Sequence, residues 1–232
     1  MQSITVIKDF SHFASTVLLA IGALLPIVDP LGGAPIFIAM TTGFSQVDRV
    51  RMAKSVAINS FLLLIASVLV GAYVLDFFGI SIPAVQIAGG VVVCAIAWSL
   101  LNKPNSPPAL AQEGLTTATT EDIGQRAFYP LTMPLTVGPG AISVALTLGA
   151  NPQKGLRPLV ETALGHTVGI LIVVVSVYLC YRYSNRITKR LGPIGTGVVV
   201  RLSAFILLCI GVQICWDGMH TLIIATFPAT AS

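Results

Sequence analysis

Six mostly apolar stretches run along the chain, near 12–28, 55–78, 83–101, 128–149, 158–181 and 196–216, with shorter polar or charged intervals between them. A helix rises too little per residue to cross hydrocarbon in fewer than about 20 residues, and each stretch is close to that length. The pattern predicts an all-α membrane protein with six transmembrane helices, read as a single transmembrane domain over 1–232. Two of the stretches are broken in the middle. Asp29-Pro30-Leu31-Gly32-Gly33 interrupts the first and Gly138-Pro139-Gly140 the fourth. Lipid offers no water to freed backbone groups, so such breaks persist at membrane depth only where protein or a polar cavity surrounds them.

The spacing of the breaks suggests duplication. A shift of 109 residues lays Asp29-Pro30 on Gly138-Pro139 and Ser67-Val68 on Ser176-Val177, while a shift of 115 lays Gln86 on Arg201 and Cys94 on Cys209. Three spans per half is an odd number, so a duplicated half inserts upside down. The expected organisation is two inverted three-helix repeats, 1–101 and 128–232, joined by a cytoplasmic linker, 102–127. The breaks themselves are expected to be broken spans or re-entrant helices.

Composition agrees with the membrane reading: mean hydropathy is +0.88 and 9% of residues are charged, against about 25% in soluble domains. The few charges set an orientation. Arg49, Arg51, Lys54, Lys103, Arg126, Arg182, Arg186, Lys189 and Arg190 fall in odd-numbered loops, against Lys8, Lys154 and Arg157 on the other side. By the positive-inside rule both termini face away from the cytoplasm. The net charge of +4 belongs to these loops, and no basic-aromatic stripe for nucleic acid is present. Met1–Phe13 lacks a basic cluster leading into a short apolar core, so the first span is expected to be retained. Cys94, Cys180, Cys209 and Cys215 lack metal-ligand spacing and are read as packing residues.

Candidate chemistry centres on the breaks. Pro26, Pro30 and Pro35 remove three backbone donors, and Gly32-Gly33 admits dihedrals that a helix forbids. Half-helices are expected from about Ala34 to Thr42 and from near Ala141. Their N-termini carry partial positive charge and unpaired N–H groups, which suit a carboxylate. The expected substrate-binding residues are Asp29, Pro30, Gly32, Gly33, Gly138, Pro139, Gly140 and Ala141. Asp29 is the one carboxylate at a break, read either as the partner of a ligand ammonium or coupling ion or as a cap on the following helix. Asn59, Gln86, Thr136 and His166 are candidates to line a cavity, as are Ser60, Thr132, Ser203 and Gln213. Each alone also suits an interhelical hydrogen bond.

Three ordered motifs carry a family resemblance. Ile27-Val28-Asp29-Pro30-Leu31-Gly32-Gly33-Ala34-Pro35-Ile36-Phe37, Ile87-Ala88-Gly89-Gly90 and Pro130-Leu131-Thr132-Met133-Pro134-Leu135-Thr136-Val137-Gly138-Pro139-Gly140-Ala141-Ile142 resemble the MarC family of bacterial and archaeal inner-membrane proteins. The resemblance implies six spanning helices, a link to the LysE-like exporter group, and transport of small neutral amino acids. It also marks two departures, since the family pattern commonly has Asn where Gly33 stands and Arg where Gln86 stands.

The expected function is secondary transport of small neutral amino acids or related zwitterions across the inner membrane by alternating access. The expected partners are that substrate and the lipid bilayer. No cofactor, metal or nucleic acid is expected; coupling to H+ or Na+ and assembly as a homo-oligomer stay open. An inorganic-ion exporter or channel would want a ring of acids or a His-rich loop. A membrane enzyme would want a nucleophile with its base or a metal motif, and the three histidines are scattered. A structural or assembly subunit is the third alternative, and a dry, fully packed midplane would favour it.

Overall fold

A computed structural model describes residues 2–102, 120–150 and 156–226, and these are almost entirely helical. In chain order the elements are α1 (Gln2–Val28), α2 (Pro30–Met40), α3 (Gln46–Phe77), α4 (Ile82–Asn102), α5 (Thr120–Arg126), an irregular coiled segment (Ala127–Thr136), α6 (Pro139–Gly149), α7 (Leu156–Arg182) and α8 (Ser184–Thr226). Most of the expected linker, 103–119, lies outside the described residues, but its last part is the helix α5.

Local chemistry sets the helix ends. Ser45 caps α3 by accepting the Asp48 N–H at 3.2 Å, an arrangement that stabilises a helix by about 1 kcal/mol. Gly79, at φ 65, turns the chain out of α3 towards α4. Gly192, also at φ 65, breaks α8 eight residues after its start, and the spanning part runs over Ile194–Thr226. Only glycine adopts this left-handed geometry without strain.

Among the described residues, five helices are long and apolar enough to cross a membrane: Ser11–Met40, Gln46–Gly71, Ile82–Asn102, Leu159–Arg182 and Ile194–Thr226. A sixth crossing arises if Ile123–Thr136 and Pro139–Gly149, bent by 71° at Gly138, form one span. Five of the six expected stretches thus correspond to a candidate span, and the fourth to the bent pair. Large apolar side chains such as Leu62, Leu69, Val91, Leu171, Phe205 and Val212 are exposed, as a hydrocarbon solvent permits.

Small residues bring the helices together, because lipid supplies no hydrophobic drive and close backbone approach must replace it. On α7, a Cβ at Gly165 would meet Thr16 at 2.8 Å and one at Gly169 would meet Ala20 at 2.6 Å. Rising numbers on α7 thus meet rising numbers on α1, so these two spans run parallel. Between α4 and α8, Gly90 faces Gly211 and Cys215 while Gly218 faces Pro83. Rising numbers here meet falling ones, so this pair is antiparallel. The main core gathers Leu24, Phe37, Met52, Val56, Leu64, Leu131, Ile170 and Val173 from α1, α2, α3, the irregular segment and α7, and a smaller one gathers Val93, Ala97 and Leu207.

Each broken half packs on the other. α2 lies against α7 and α8, and α6 lies against α3 and α4. The polar contacts follow the same exchange: Ser203 on α8 bonds to Asp29, and Ser143 on α6 donates to the Val85 carbonyl of α4 at 3.2 Å.

Candidate functional site

The first break is confined to one residue. Asp29 stands at φ 41, ψ 66, a left-handed conformation that Asp tolerates better than most side chains. Pro30 fills the first helical position, where its missing donor costs nothing. α2 therefore begins at Pro30, four residues before the expected Ala34, and Gly32 and Gly33 are helical. Their role is closeness. A Cβ at Gly32 would run into the Asp29 carboxylate and lie 2.8 Å from Ser203 Cβ; one at Gly33 would lie 2.6 Å from the Tyr181 hydroxyl.

Asp29 both caps and stays available. Its Oδ1 accepts the Gly32 N–H at 3.0 Å and the Ser203 hydroxyl at 3.3 Å. Its Oδ2 has no hydrogen-bond partner among the described residues, and the side chain is only half-buried. No Lys or Arg pairs with it among the described residues.

The second break is built differently. Pro130 and Pro134 follow cis peptide bonds, and Tyr129 and Met133 leave helical geometry. Thr132 and Thr136 repair part of the damage, donating to the carbonyls of Ala127 at 2.6 Å and Leu131 at 2.7 Å. Gly138 then runs extended, at φ −90 and ψ −180, into α6, which starts at Pro139, two residues before the expected Ala141. No side chain caps this helix. The Ile142 N–H reaches the Gly138 carbonyl at 3.1 Å, whereas the N–H groups of Gly140 and Ala141 meet no acceptor among the described residues. Gly140 and Ala141 are buried, so two donors at the positive end of a helix stay unpaired away from bulk water. Gly140 also lies against α4, where a Cβ would overlap Val93.

One side chain joins the two breaks. Tyr181, from the last turn of α7, is fully buried and stacks on Phe37 of α2 with ring centroids 4.6 Å apart. Its hydroxyl lies against Gly33 and shares a 2.9 Å hydrogen bond with Thr136, two residues before Gly138. Sequence reasoning missed it: a tyrosine beside Arg182 and Tyr183 at the end of an apolar stretch reads as a membrane-interface residue.

The other candidates scatter. Thr136 belongs to the site through Tyr181, and Ser203 through Asp29. Gln86 instead donates to Thr147 of α6 at 3.2 Å, and Gln213 bonds Asp217 on its own exposed helix face at 2.8 Å. Asn59 is half-buried on α3 and His166 is buried on α7; neither hydrogen-bonds to a residue of either break among the described residues. Thr132 serves its own backbone.

The first break thus carries a carboxylate oxygen and the second two N–H groups, none of them with a hydrogen-bond partner among the described residues.

Comparison with known proteins matches residues 13–223 to a family described as MarC family integral membrane protein. A UPF0056 membrane protein of Archaeoglobus fulgidus is 31% identical over 91% of this chain and 95% of its own length. The UPF0056 membrane protein YvbG of Bacillus subtilis is 29% identical over 90% and 95%. The UPF0056 inner membrane protein MarC of Salmonella paratyphi A is 31% identical over 88% and 94%. No solved structure matches.

Proposed function

This chain belongs to the MarC family of integral membrane proteins, and from that premise we propose that it is a secondary transporter of small neutral amino acids or related zwitterions. The observation that carries the reading is the complementary pair of unpaired groups at the breaks. Asp29 Oδ2 would take the substrate ammonium, and the N–H groups of Gly140 and Ala141 its carboxylate. A carboxylate inside a membrane costs several kcal/mol unless it is paired, protonated or facing water. Coupling H+ or Na+ at Asp29 would meet that cost when substrate is absent.

Much of the packing supports two inverted repeats. Exchanging α2 with α6, α3 with α7, α4 with α8, and α1 with the irregular segment carries the α1–α7 contact onto that of the irregular segment with α3, α3–α6 onto α7–α2, and α2–α8 onto α6–α4, while the smaller α1–α8 and α7–α8 contacts have no such counterpart. The antiparallel α4–α8 pair and the parallel α1–α7 pair fit a two-fold axis lying in the membrane. This reading makes both breaks broken spans, and it is supported by the course of α6, which starts beside Val93 midway along α4, passes Gln86 near the start of α4 at Thr147, and ends with Gly149 against Val68 of α3. We place the protein in the inner membrane with both termini on the non-cytoplasmic side, as the loop charges direct.

Tyr181 and Phe37 fill the space between the breaks. In the transport reading this is an occluded state, and access opens when the Tyr181–Thr136 bond parts. The same filled space favours a second reading, a membrane assembly subunit without transport. Counterflow of labelled alanine, glycine and serine into proteoliposomes separates the two: saturable exchange is expected from a transporter. Folded protein that exchanges none of them would remove this substrate class and leave the assembly role or ion export.

A further inference from the structure

Between the end of α7 and the break at Gly192 lies a basic stretch that the transport reading does not use. Tyr183, just before α8, and Arg186, Ile187 and Arg190 in its first turns recur at i, i+3, i+4 and i+7, so they share one face. That face lines an open cavity of about 300 Å³. Aromatic rings hold the cations in place. The Arg182 guanidinium lies 5.7 Å from the centroids of both Tyr178 and Tyr183, and donates to the Tyr178 hydroxyl at 2.7 Å. Arg186 lies 5.6 Å from the Tyr183 ring.

No carboxylate among the described residues pairs with Arg186, Lys189 or Arg190. Arg182, Arg186, Lys189 and Arg190 place four cations within nine residues, with no paired carboxylate among the described residues, next to the point where the span starts at Ile194. This open cavity brings together two guanidinium groups, a phenol and an isoleucine. Guanidinium forks match phosphate oxygens, and the aromatic and aliphatic walls suit the glycerol and upper acyl region of a lipid.

We propose that this cavity is a binding site for the phosphodiester head group of an anionic membrane lipid, with Arg186 and Arg190 holding the phosphate and Tyr183 and Ile187 flanking its glycerol. Basic pockets at the cytoplasmic ends of spanning helices bind such head groups. Because the site lies outside both breaks, it stands whether or not the transport reading holds.

The test is lipid binding by the full chain in a neutral detergent, read by native mass spectrometry. Phosphatidylglycerol is expected to bind about tenfold more tightly than phosphatidylcholine, and the double variant Arg186→Gln/Arg190→Gln to lose that preference. A control pair on another basic surface, Arg51→Gln/Lys54→Gln, is expected to keep it; both of these side chains are exposed. Equal binding of the two lipids, an unchanged preference in Arg186→Gln/Arg190→Gln, or equal loss in the control pair would overturn the site. Full displacement of phosphatidylglycerol by millimolar inorganic phosphate would overturn the lipid assignment in favour of a soluble anion.

Discussion

Replacing Asp29 with Asn is expected to abolish amino-acid exchange in a protein that still folds. Asn accepts hydrogen bonds through its side-chain carbonyl, so the bonds from the Gly32 N–H and the Ser203 hydroxyl persist. It also tolerates the left-handed backbone at this position. What disappears is the negative charge on Oδ2. Leaving a substrate ammonium without its counter-charge in a desolvated site costs roughly 3 kcal/mol, or about 100-fold in exchange rate. Asp29→Ala would instead lose the cap as well, at about 1 kcal/mol of helix stability. Thermal unfolding in detergent beside the exchange assay separates the two effects. Native exchange by Asp29→Asn would reduce the carboxylate to a cap and remove it from the site.

Gly140→Leu is expected to destroy exchange by displacing the second break. Even a Cβ at this position would overlap Val93 of α4, and forcing bulk into a packed contact costs about 1–3 kcal/mol or more. α6 must then move away from α4, taking the Gly140 and Ala141 N–H groups with it. Because Leu also threatens folding, the smaller change carries the argument. Gly140→Ala is expected to lower both stability and exchange, and Val93→Ala in the same chain to restore both by vacating the space the new methyl needs. Stability recovered without exchange would show that the glycine serves something other than close approach to Val93.

Much of the fold was legible because a membrane asks for apolar length, and length is written directly in the sequence. The five long candidate spans and the bent pair at the fourth stretch fall where the apolar stretches predict. The break residues were legible too, but their geometry was misread. Gly32-Gly33 suggests unwinding, whereas Asp29 caps and Pro30 opens a helix that carries both glycines inside it. They are small because the Asp29 carboxylate and the Tyr181 hydroxyl press against them, a tertiary fact without a local signature. The asymmetry between a capped first break and an uncapped second one was partly visible, since only the first has an acid. Tyr181 was not, because its burial depends on a stack with Phe37 of α2, over a hundred residues earlier in the chain. At Gly33 the physical reason for glycine is plain: a side chain there and the present position of Tyr181 exclude one another.

The account rests on recognition of both ends of a zwitterion, one at each break. Competition against labelled alanine counterflow tests this most directly, comparing unlabelled alanine with propionate and ethylamine, which keep one charged end each. The prediction is that both single-charge analogues compete at least about tenfold more weakly than alanine, since each leaves one break unpaired. Propionate competing as well as alanine would leave Asp29 without an ammonium to bind and contradict the central claim.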